Sequence, residues 1–139
     1  MVYNCIMKTY HEVKFKHDTK TAHPCFKRNT LAYIQPDFKS LLRKYIKAIE
    51  ALETPVVKLT VGLAIVHPED NFVKKVGREL AESKLDIKDF VMYVEDHPEY
   101  YFMVFEREEN RLEYSISAKL YKDSKKFRIT SVGVYDDRG

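Results

Sequence analysis

The sequence predicts an α+β domain, a mostly antiparallel sheet with two helices packed on one face. Two stretches carry apolar residues at helical spacing, and four alternating segments follow each other after residue 90 with only short turns between them. No helix separates those last four segments, which removes the crossovers that a parallel sheet requires. At 139 residues the chain has the size of one domain, and 1–139 is read as a single unit.

Tyr10–Lys16 alternates, with Val13 and Phe15 on one side and Glu12 and Lys14 on the other, and Val2–Lys8 is its expected partner. Lys16 to Asn29 is polar and reads as a loop, and Thr30–Ile34 as a short strand. Pro36 and Asp37 suit a helix start, because proline is tolerated in the first turn and a carboxylate favours the positive end of the helix dipole. Phe38, Leu41, Leu42, Tyr45, Ile46, Ile49 and Leu52 then form one apolar stripe, which Thr54-Pro55 ends.

Val56–Val66 is rich in β-branched residues and reads as a strand buried on both faces. From Pro68 to Leu85 the helical period returns. Phe72, Val73, Val76, Gly77, Leu80 and Ala81 are expected inside, with Lys74, Lys75, Arg78 and Glu82 outside. Phe90–Glu95, Glu99–Arg107, Arg111–Tyr121 and Lys126–Tyr135 complete the sheet as antiparallel hairpins.

Composition narrows the setting. Hydrophobic residues make up 45% and charged residues 32%, the balance of a folded chain rather than a disordered one. Met1-Val2-Tyr3-Asn4 lacks the basic-then-apolar pattern of a secretory signal, and no apolar run approaches a membrane span. With only two cysteines there is no disulfide framework, so a reduced cytoplasmic setting is the expectation. Residues 1–60 carry 11 Lys and Arg against 5 Asp and Glu, and residues 61–139 carry 13 against 16. The N-terminal half is therefore positive and the C-terminal half negative, and the domain is dipolar if the halves occupy different faces.

Candidate sites come from three places. His67, Lys74, Lys75 and Arg78 surround a strand-to-helix turn, where unpaired backbone N–H groups and cations suit a phosphate or another anion. Against this, Asp70 capping the helix and Gly77 allowing close packing would explain the same residues structurally. Lys39, Arg43, Lys44 and Lys47 give the first helix a basic face for nucleic acid, or an ordinary solvated one. Cys5, His11, His17, His23 and Cys25 are zinc-compatible residue types without the close ligand pairs of a zinc site, so neither a metal nor a cofactor is expected.

No nucleophile elbow, phosphate-cradling glycine loop or H-E-x-x-H helix is present. Glu106, Glu108 and Glu109 read as a solvated turn. Tyr93, Tyr100, Tyr101, Tyr114, Tyr121 and Tyr135 crowd the C-terminal strands, where exposed rings anchor interfaces and buried ones fill the core. Neighbouring Tyr100 and Tyr101 point to opposite faces.

His67, Pro68, Asp70, Phe72, Lys74, Lys75, Gly77, Arg78 and Ala81 together resemble a strand-to-helix segment of small, mostly uncharacterised phage and bacterial proteins. Lys84 and Leu85 depart from it where a second Gly-Arg is expected. The resemblance implies a phage or mobile-element origin. The leading expectation is thus a small non-enzymatic binding protein, phage-encoded and acting on a host protein partner, with homo-oligomerisation open. The alternatives are a nucleic-acid binder using the basic helix faces, and a small enzyme or nucleotide-binding protein with its site near His67.

Overall fold

The computed structural model describes residues 12–18, 27–66, 71 and 73–136. The strands are β1 (Val13–Asp18), β2 (Asn29–Ile34), β3 (Val56–Ile65), β4 (Asp86–Asp96), β5 (Tyr100–Glu109), β6 (Leu112–Tyr121) and β7 (Phe127–Asp136). Helix α1 (Phe38–Glu50) joins β2 to β3, and α2 (Lys74–Ser83) lies between β3 and β4. The sheet order is β1-β2-β3-β4-β5-β6-β7, and every pairing is antiparallel. The expected mostly antiparallel sheet with two helices is therefore present, curled until its two edges approach each other.

An odd antiparallel meander brings its first and last strands together parallel, so β1 and β7 cannot close by the ladder used elsewhere. Among the described residues, side chains and one backbone bond do the closing instead. Val132 N–H donates to the Asp18 carboxylate (3.0 Å), and the Asn29 amide donates to the Val132 carbonyl (3.1 Å). Lys27 N–H donates to the Val134 carbonyl at 2.9 Å. Asn29 is fully buried at this seam.

The inward positions follow the pleat. Leu31, Val57, Leu59, Val61, Leu63, Phe90, Met92, Met103, Phe105, Ile116, Leu120, Val132 and Val134 share one buried cluster, and Leu41 of α1 belongs to it. Phe38, Leu42 and Tyr45 pack against the same cluster, so α1 lies over the barrel mouth where β2, β4 and β6 end. Asp37 caps this helix, its carboxylate accepting from Ser40 N–H.

The second helix meets the other face. Ala81 packs with Ala32 and Ala64, alternate residues to the inward Leu31 and Leu63. The approach is close enough that a Cβ on Gly62 would lie 2.1 Å from the Ala81 carbonyl oxygen, so only glycine fits there. The two helices therefore do not share one face. Large apolar residues draw α1 to the inside of the curled sheet, while small ones let α2 lie against its outside.

Three further expectations change. Only Gly77 and Ala81 of α2 are buried, whereas Val73, Val76 and Leu80 stay 51%, 51% and 48% exposed. The helix begins at Lys74, so the expected start near Pro68 does not match, and the proposed Asp70 cap lies outside the described residues. Strand β4 starts at Asp86 rather than Phe90, because Asp86–Val91 pairs along β3 despite its charges. The expected strand Val2–Lys8 also lies outside the described residues.

Candidate binding surfaces

Strands β4 to β7 carry a groove of about 650 Å³ on their outer face. Its position follows from the register. Val91, Glu106, Ser115 and Gly133 lie side by side in one row across the four strands, and Glu108, Glu113 and Tyr135 in the next. All are alternate residues to the buried Met92, Phe105, Ile116 and Val132 or Val134, so they face outward. Small Ser115 and absent side chain at Gly133 make the floor, and Val56 and Tyr93, both about half exposed, add apolar surface beside it.

The glycine is informative. A Cβ built on Gly133 would meet only the Ser115 carbonyl oxygen, at an ordinary 3.8 Å, and the backbone there needs no left-handed conformation. Gly62 and Gly77 are needed for helix packing, the latter because a Cβ would lie 2.5 Å from Thr30 Oγ1. Neither packing nor backbone requires glycine at 133; its effect is to keep the groove open.

The groove is acidic on balance, lined by Asp89, Glu106, Glu108 and Glu113 against Arg107. Glu106, Glu108 and Glu113 form no ion pair among the described residues, and Glu108 stands directly opposite Glu113 in the β5–β6 register. Like charges facing each other across strands are destabilising, so the sheet holds this pair at a cost. Asp89 at the groove edge is bound by Lys58 (2.9 Å), whose hydrogen bond and charge hold its carboxyl below the usual range. Reading Glu106, Glu108 and Glu109 as a solvated turn is therefore corrected, since all three are strand residues. Glu109 points the other way and is gathered by Arg107 (3.1 Å), Lys88 (3.3 Å) and the Tyr114 hydroxyl (3.5 Å). The Arg107 guanidinium leads in holding the Glu109 carboxyl low, while burial and Glu109 push the Tyr114 hydroxyl up.

A second cleft, of about 600 Å³, opens at the barrel mouth between the start of α1 and the end of β6. Phe38, Leu42, Tyr101 and Leu120 give it an apolar floor, with Lys39, Lys122 and Lys125 at the rim. Tyr101 faces this cleft and the core, while Tyr100 stacks outside on His97 (4.7 Å), as their opposite facing requires.

His67 lies outside the described residues. Lys74 and Arg78 come together beside His17 of β1, whose Nδ1 lies 2.8 Å from Thr30 Oγ1. Burial, then Lys74, Arg78 and Lys16, lower the His17 pKa and favour a neutral imidazole. Lys75 lies further round the helix, exposed. Among the described residues no side chain caps the first turn of α2, and that turn holds no acid.

The described part of this surface forms an apolar cleft of only about 140 Å³ beside Ile65, Val76 and Leu80. Small-molecule pockets are typically several hundred Å³. Lys39, Arg43 and Lys47 share the solvent face of α1, while Lys44 sits on the flank whose charge reaches Asp89. Of the zinc-compatible residues Cys5, His11, His17, His23 and Cys25 only His17 is described, and no group of three His, Cys, Asp or Glu converges among the described residues. No described helix is long and apolar enough to cross a membrane.

Sequence reasoning missed both large clefts. The available signal for the first was Gly133 within an otherwise alternating strand. For the second it was Tyr101 beside Tyr100. The fold and these surfaces define an antiparallel, nearly closed barrel with two clefts of opposite charge. Comparison with protein-family models, curated proteins and solved structures finds no match.

Proposed function

We propose that this chain is a non-enzymatic binding module that docks a basic segment of a partner protein in the outer groove of β4–β7. The observation that carries the reading is the groove itself. It is kept open by a glycine the fold does not need and lined by glutamates the sheet holds against their own repulsion. Half-exposed Tyr93 and Val56 supply the apolar contact that interface cores favour, and the carboxylates, without an ion pair among the described residues, supply charge complementarity. The resemblance of the His67–Ala81 stretch to phage segments supports a host protein as that partner.

The test is quantitative capture from bacterial lysate with the wild type, a Glu106→Gln/Glu108→Gln/Glu113→Gln variant and Gly133→Val. A partner retained by the wild type should be lost by both variants, and its isolated basic segment should bind less tightly as salt rises. Capture unchanged in both variants would sink the reading. Nuclease-sensitive capture dependent on Lys39, Arg43 and Lys47 would instead favour nucleic acid on α1.

A further inference from the structure

Beyond that reading, we infer that the cleft at the barrel mouth is a binding site for a small amphipathic carboxylate, an apolar chain or ring ending in an anion. Its composition sets the ligand class. An apolar floor of Phe38, Leu42, Tyr101 and Leu120 gives a purely hydrophilic anion such as phosphate little to gain. A neutral hydrocarbon would leave the cationic rim unused. At about 600 Å³ the cleft is in the range of small-molecule pockets, which pair an apolar lining with a few placed polar groups.

The rim is asymmetric in what its charges already do. Lys122 is occupied, its ammonium bonded to Asp96 and held 4.7 Å from the centre of the Tyr101 ring, which fixes one wall. Asp37, the acid of the rim, is turned to its helix-capping bond with Ser40. Lys39 and Lys125 have no ion-pair partner among the described residues, and these two are assigned the carboxylate. Lys125 has φ 56°, the left-handed region where glycine or asparagine is favoured, with its N–H donating to the Tyr121 carbonyl at 2.9 Å. A lysine at that position is a local cost to the turn, and holding a cation at the rim is what it gains.

The experiment uses decanoate, 1-decanol and inorganic phosphate as probes, followed by NMR titration of the full chain. Decanoate should bind saturably, with shifts centred on Phe38, Leu42, Tyr101 and Leu120. Decanol should bind more weakly and phosphate without measurable affinity. Lys39→Gln and Lys125→Gly should each weaken decanoate roughly two- to fivefold, the range for a partly exposed charge contact. Lys125→Gly should melt no lower than the wild type, which separates loss of the site from loss of the fold. Absence of saturable decanoate binding would overturn the assignment. So would equal affinity for decanol, or shifts centred on the outer groove. The glutamine variants of Glu106, Glu108 and Glu113 should leave decanoate unaffected, so this site and the protein-docking groove fail or stand independently.

Discussion

The groove over β4–β7 and the cleft at the barrel mouth enclose similar volumes, about 650 and 600 Å³, yet they are built in opposite ways. The groove is a property of the sheet alone. Its shape comes from register and a missing side chain, and its glutamates come together because outward positions on β5 and β6 fall into adjacent rows. The mouth cleft is a property of a helix seated on a barrel. Remove α1 and one wall goes with it. A binding surface on a continuous ladder inherits the rigidity of that ladder, whereas one made by a docked helix is only as fixed as the docking.

The largest expected effect breaks the comparison at that docking. Leu41 is the one α1 side chain fully within the interior cluster. Leu41→Ala should lower the unfolding free energy by about 2–5 kcal/mol, the usual cost of a buried leucine truncated to alanine. Urea melts read the stability, and amide exchange reads where it is lost. Protection should fall first in α1 and around the mouth, with the strands of the outer groove affected least. Uniform loss across all strands would mean that α1 and the sheet form one cooperative unit, and the contrast between the clefts would disappear.

How legible these surfaces are in the sequence follows the same division. Strict alternation over Leu112–Leu120 reports a half-buried strand directly, and β6 and β7 begin and end within a residue of expectation. The helix starting at Pro36-Asp37 is equally readable because its cap is local. Helix α2 misleads, since the same periodicity suits a core stripe or an exposed one. Gly77 and Ala81, not Val76 and Leu80, turn out to face the sheet.

Strand β4 hides its first residues because Lys88 faces inward at the open end of the barrel, where Glu109 neutralises it. The charge asymmetry between chain halves is readable, and the acid groove does come mostly from the negative C-terminal half. The cationic rim draws on both halves, Lys39 from one and Lys122 and Lys125 from the other. Pairing partners separated by tens of residues decide that, and periodicity contains no record of them.

The smallest expected effect sharpens the comparison instead. Each cleft contains a residue that its local structure would rather not have: Glu113, facing Glu108 across the ladder, and Lys125, left-handed at the β6–β7 turn. Glu113→Gln should raise stability by roughly 0.2–1 kcal/mol at low salt, the scale of a cross-strand charge pair, and less as salt screens the repulsion. Lys125→Gly should exceed the equally neutral Lys125→Gln in stability by up to about 1 kcal/mol, the scale of relieving a left-handed non-glycine residue, and that difference should not depend on salt. Salt response therefore distinguishes a cost that is electrostatic from one that is conformational. If Glu113→Gln destabilises instead, the carboxylate has a structural partner, and the groove does not keep its charge for a ligand.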